Sequence, residues 1–119
     1  MLRDSFSFRS RKFRLRIQGV WVEIEANEDA LCECDGARAL SLRYRSRLAE
    51  KSEESGKILA ELKGELCGVI KRLIGGEAFE KLSLSERSAL ELSELLGFII
   101  ARVMKFARHR GFGVFRGRR

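Results

Sequence analysis

Proline is absent from these 119 residues. No position therefore lacks a backbone N–H through proline, and long uninterrupted helices are permitted. Histidine occurs once, as His109 between Arg108 and Arg110. A general base needs an orienting partner and a nucleophile within reach, and neither can be assembled around it. At the end of a helix it would simply favour the negative pole of the dipole. Cysteine occurs three times, an odd number without a disulfide framework. Cys32 and Cys34 form a CxC pair, but on a helix their side chains would point about 200° apart. With only Cys67 and His109 as further soft ligands, four converging metal donors are not in prospect. Reduced thiols in a cytoplasm are the simple reading. Long apolar runs are missing too: Leu95 to Ala107 is interrupted by Arg102 and Lys105 and is too short to cross a bilayer. The N-terminus alternates Phe with Arg and has no apolar h-region. These absences predict a cytoplasmic, non-enzymatic protein with no catalytic, cofactor-binding or metal residues, no small-molecule substrate and no membrane partner.

What is present is charge, unevenly placed. The net charge is +7. Residues 1–17 carry six basic side chains against Asp4, and residues 105–119 carry six against none. The stretch between holds 12 basic and 16 acidic residues. The excess therefore sits in two arms around a mildly acidic middle, which points to binding rather than to chemistry.

Residues 1–10 read as a flexible basic arm. From Lys12 to Ile17, Phe13, Leu15 and Ile17 fall on one side and Lys12, Arg14 and Arg16 on the other. Val20, Val22 and Ile24 alternate in the same way with Trp21, Glu23 and Glu25. Gln18-Gly19 between them supplies a two-residue turn, so a β-hairpin is predicted, its Arg side facing its Glu side. A lone hairpin is marginal in water and should pack on helices or on another copy.

Asn27 reads as an N-cap, followed by Glu28 and Asp29. From there Ala30, Cys34, Ala37, Ser41, Tyr44 and Leu48 recur at helical spacing. A second series runs Leu48, Ser52, Ser55, Leu59, Leu62, Leu66, Val69 and Leu73. Either one long helix spans about 27–74 or it breaks near Ser52–Gly56. The weak helix point at Ser55-Gly56 favours the break. Gly75-Gly76 punctuates its end, since no Lys-Ser/Thr follows to make a phosphate loop. Residues 77–82 make a short turn or a single helical turn. Ser83 with Glu86 reads as a capping box for a last helix carrying Ala89, Leu92, Leu96, Ile99, Val103 and Phe106 and ending near His109. Residues 110–119 read as a basic Gly/Arg tail. The expected fold is mainly α with a small N-terminal β-hairpin (α+β), its two to three helices forming a small bundle over residues 11–109.

The order of features carries a resemblance. A hairpin with a Gly turn leads into a long charged helix. Then come Leu73-Ile74-Gly75-Gly76-Glu77-Ala78-Phe79-Glu80-Lys81-Leu82, a final helix and an Arg-rich tail. This layout resembles the small tail assembly chaperones of long-tailed bacteriophages. The resemblance implies a non-enzymatic protein that coats the amphipathic helical tape-measure protein in the host cytoplasm and associates with itself. An amphipathic helix needs an apolar groove to lie in. The residues expected to supply it are Leu59, Leu62, Leu66, Leu92, Leu96 and Ile99, on the argument that so short a chain cannot cover all its apolar stripes. The alternative is a small nucleic-acid-binding protein whose arms neutralise phosphates through Arg9, Arg11, Arg108, Arg110, Arg116, Arg118 and Arg119, with neighbouring Phe side chains stacking on bases. A structural virion component also fits the layout.

Overall fold

The computed structural model describes residues 11–50 and 55–109. Strands β1 (Lys12–Ile17) and β2 (Val20–Glu25) form an antiparallel hairpin in which Ile17 faces Val20, Leu15 faces Val22 and Phe13 faces Ile24. Gln18 and Gly19 both take positive φ, 50° and 78°, as a type I′ turn requires. The alternation does what the sequence led us to expect. Leu15, Ile17, Val22 and Ile24 are buried, whereas Lys12, Arg14, Arg16, Trp21, Glu23 and Glu25 face outward.

Helix α1 (Glu28–Ala49) starts at Asn27, whose Oδ1 accepts the Ala30 N–H at 2.9 Å. Helix α2 (Ser55–Ile74) runs back antiparallel to it. Three ion pairs record the register: Glu33 with Arg72, Arg43 with Glu65, and Arg47 with Glu61. The apolar series on either side of residue 50 is therefore two helices folded against each other, the first ending at Ala49 and the second beginning at Ser55. The face of α1 that turns inward is made of Ala30, Cys34, Ala37, Leu40 and Tyr44. Ser41, placed on that stripe by spacing alone, is exposed, and Leu40 takes its place.

Gly75 ends α2 with φ of 94°, its N–H donating to the Lys71 carbonyl, and then caps the short helix α3 (Gly76–Lys81). That backbone conformation is strained for any side chain, which is the reason for glycine here. Phe79 of α3 is buried, and Leu82 and Leu84 pin the following single turn of 3₁₀ helix (Leu84–Glu86) to the core.

Helix α4 (Ala89–His109) is capped, but not by the expected pair. Ser83 has φ of 53° and makes no capping bond. The box is formed five residues later, where the Glu91 N–H donates to Ser88 Oγ at 3.1 Å and the Ser88 N–H donates to Glu91 Oε1 at 3.1 Å. Both Ser-x-x-Glu sequences fit the pattern. The left-handed turn at Ser83 excludes the extended backbone that an N-cap needs, and Ser88 inherits the role.

Helix α2 packs on α1, on α4 and on β2. Strand β1 runs antiparallel to α4. Phe13 stacks on Phe106 with ring centroids 4.8 Å apart, while Ile17 lines a recess with Leu92 and Leu95. One continuous core results, drawing on both strands and every helix. Its most enclosed large side chains are Ile24, Ile70, Leu92 and Ile99. No helix among the described residues is long and apolar enough to cross a membrane.

Candidate functional site

The six residues expected to form an apolar working surface divide. Leu66, Leu92, Leu96 and Ile99 lie in the core, Ile99 with no exposed area at all. The stripe on α4 is covered, which corrects the expectation that these four face a partner. The cover comes from α2 and α1, with Phe13 and Ile17 of the hairpin meeting α4 at its two ends. On α2 the apolar row turns as it approaches the N-terminus. Ile58 is buried in the position that spacing had assigned to Leu59, Leu62 is half-buried, and Leu59 is 42% exposed. The solvent-facing part of the predicted surface is thus Leu59, with Leu62 beneath it.

On the face of α2 that meets α1, the two helices are joined by polar contacts. Arg47 Nη1 donates to Glu61 Oε1 at 3.0 Å, and the Tyr44 hydroxyl reaches the same oxygen at 3.5 Å. The Arg47 guanidinium is a weaker acid than usual because of that Glu61 bond. Arg43 and Arg47 also lie over the Tyr44 ring, at 5.3 and 5.0 Å. Other large apolar side chains stand in solvent singly: Leu42 on α1 and Leu90 and Phe98 on α4, the last beneath the Arg102 guanidinium at 5.4 Å.

The basic residues of the alternative reading are only partly placed. Arg11 is half-buried and lines a recess with Asn27, Glu28 and Asp29, and Arg108 is exposed on the last turn of α4. Arg9, Arg110, Arg116, Arg118 and Arg119 lie outside the described residues. A set of basic side chains that the sequence reading did not single out sits on the hairpin instead. Arg16, directly across from Trp21, and Arg14, on the diagonal, place their guanidinium carbons 5.5 and 5.6 Å from the indole centroid. The available signal was a tryptophan in the outward register of an alternating strand.

The cysteines do not converge. Cys32 is exposed, Cys67 half-buried and Cys34 buried. Burial pushes the Cys34 thiol up to about 11, against a smaller opposing pull from Arg38, so it is protonated and unreactive at neutral pH. Among the described residues no three His, Cys, Asp or Glu side chains gather as metal donors.

The chain matches no protein-family model, no curated protein and no solved structure.

Proposed function

We propose that this protein is a non-enzymatic assembly factor of the phage tail chaperone type, which holds an amphipathic helix of its partner against the exposed end of the α2 leucine row. One observation supports the reading: Leu59 stands in solvent at the end of a row whose next members, Leu62 and Leu66, descend into the core. A partner helix laid there meets an apolar contact continuous with the hydrophobic interior. The Arg43–Glu65 and Arg47–Glu61 pairs occupy a different face of α2, the one that meets α1, and leave the Leu59 side open. Such a contact is small and therefore weak, which serves a chaperone that must leave when the tail tube assembles.

The test is titration of the full chain with a peptide carrying an amphipathic helix of a tape-measure protein. Binding should survive moderate salt and fall on Leu59→Gln, a surface change that leaves the core intact. A titration showing no association, or one unmoved by that substitution, sinks the reading.

A further inference from the structure

The outward face of the hairpin has a property that the apolar row on α2 does not explain. In the observed register Arg14 faces Glu23 across the strands, an arrangement that invites an ion pair. None forms. Among the described residues neither Arg14 nor Arg16 enters an ion pair, and both guanidinium groups lie against Trp21 instead. A guanidinium over an indole is a favourable contact that requires none of its N–H donors. The indole itself remains 58% exposed. The turn end of this face therefore offers an accessible aromatic ring with two arginines beside it and unengaged donors. The carboxylate of Glu25 is set off toward the opposite end, across from Lys12.

We propose that this Arg14–Trp21–Arg16 face binds single-stranded nucleic acid. The chemistry required is a base that stacks on the indole and backbone phosphates that accept from the guanidinium groups. A duplex, whose bases are stacked internally, cannot offer the first contact. An acidic peptide can offer the charge but not the ring. The site is separate from the α2 row, and its success or failure leaves the chaperone reading where it stands.

Trp21 is the chain's one tryptophan, so its fluorescence reports on this face directly. The full chain is titrated at low salt with oligo-dT, with oligo-U of the same length, with a duplex, and with inorganic polyphosphate. Quenching of Trp21 by the single strands, a steep loss of affinity with salt, and little quenching by duplex or polyphosphate are the expected results. The oligo-dT and oligo-U arms show which sugar is preferred. Arg14→Gln with Arg16→Gln should weaken single-strand binding by about tenfold, and Trp21→Ala by a similar factor when followed with a labelled oligonucleotide. All three side chains are exposed, so circular dichroism should stay unchanged. Absence of single-strand binding at low salt overturns the proposal. So does binding that leaves Trp21 fluorescence and the Arg14/Arg16 variant unaffected, because the oligonucleotide would then be held elsewhere. Equal quenching by polyphosphate also overturns it, because no base would be read.

Discussion

Helices α1 and α4 are nearly equal in length, 22 and 21 residues, but they are held in the fold by different means. Helix α4, which packs on α2 and α1, encloses Leu92, Leu96, Ile99 and Val103. Each such side chain is worth about 1.5–3 kcal/mol of apolar burial. Helix α1 buries three small residues, Ala30, Cys34 and Ala37, before it reaches Leu40 and Tyr44. Small side chains bury little area, but they let helix axes approach closely. What α1 lacks in volume it partly recovers in register, through Glu33, Arg43 and Arg47 paired with Arg72, Glu65 and Glu61. One helix is anchored by branched aliphatic volume, the other by fit and by charges that select a single antiparallel alignment. The row left in solvent at Leu59 lies on α2, around the helix from the Glu61 and Glu65 side chains that meet α1.

That contrast makes graded predictions. The largest effect belongs to α4. Ile99→Ala removes volume from a site with no solvent access and should cost about 2–5 kcal/mol in urea unfolding. A loss under about 1 kcal/mol would mean that α4 is not the principal anchor. On α1 the sign of the size change reverses, since close approach is what matters there. Ala37→Leu should destabilise by about 1–3 kcal/mol through overpacking. A stabilised variant would show that space remains between α1 and its neighbours.

The cap of α4 comes next. Ser88→Ala should cost about 1 kcal/mol, whereas Ser83→Ala should change little, because only Ser88 makes capping bonds. The two unfolding midpoints compared side by side decide which serine is the cap. The same box has a pH signature. The Glu91 carboxyl is held below its ordinary value, first by the Ser88 backbone N–H and then by Arg87. The unfolded chain therefore binds more protons than the folded one in the acid range. The contribution is complete above the unfolded pKa and is lost as pH falls through the folded one. Glu91→Gln should remove that part of the acid dependence and leave the neutral-to-alkaline range unaltered in slope.

The smallest effect belongs to the surface charges of α1. A double-mutant cycle on Glu33→Gln and Arg72→Met should return a coupling under about 1 kcal/mol. It should shrink as salt is added. A larger, salt-insensitive coupling would place electrostatics above packing in holding α1.

Parts of this arrangement were readable from short-range pattern. The hairpin was legible because strand period, turn residues and length all agree within fourteen residues, and a one-residue slip would reverse every side chain. The Asn27 cap was legible because its partner is three residues away. The α4 cap was not, although the pattern recognised was the right one. Ser83–Glu86 and Ser88–Glu91 are equivalent as strings. Burial of Leu82 and Leu84 at the intervening turn gives the role to the second.

The apolar row on α2 shows the same boundary at larger scale. Ile58 and Leu59 both continue the helical spacing of Leu62 and Leu66, and they differ by about 100° around the axis. Where α1 comes to rest against α2 decides which of them enters the core. The enclosure of Leu92, Leu96 and Ile99 was likewise beyond reach of periodicity, which shows that a face is apolar but not what covers it.

Local spacing and composition were enough to establish a hairpin followed by amphipathic helices, with the excess positive charge at the two ends. The folded chain alone settled which ridge is sealed, which leucine is left outside, which serine caps, and that two arginines turn to Trp21 rather than to Glu23. Periodicity is a property of neighbours along the backbone, whereas burial and side-chain pairing depend on surfaces brought together from distant positions, and those exist only once the elements have packed.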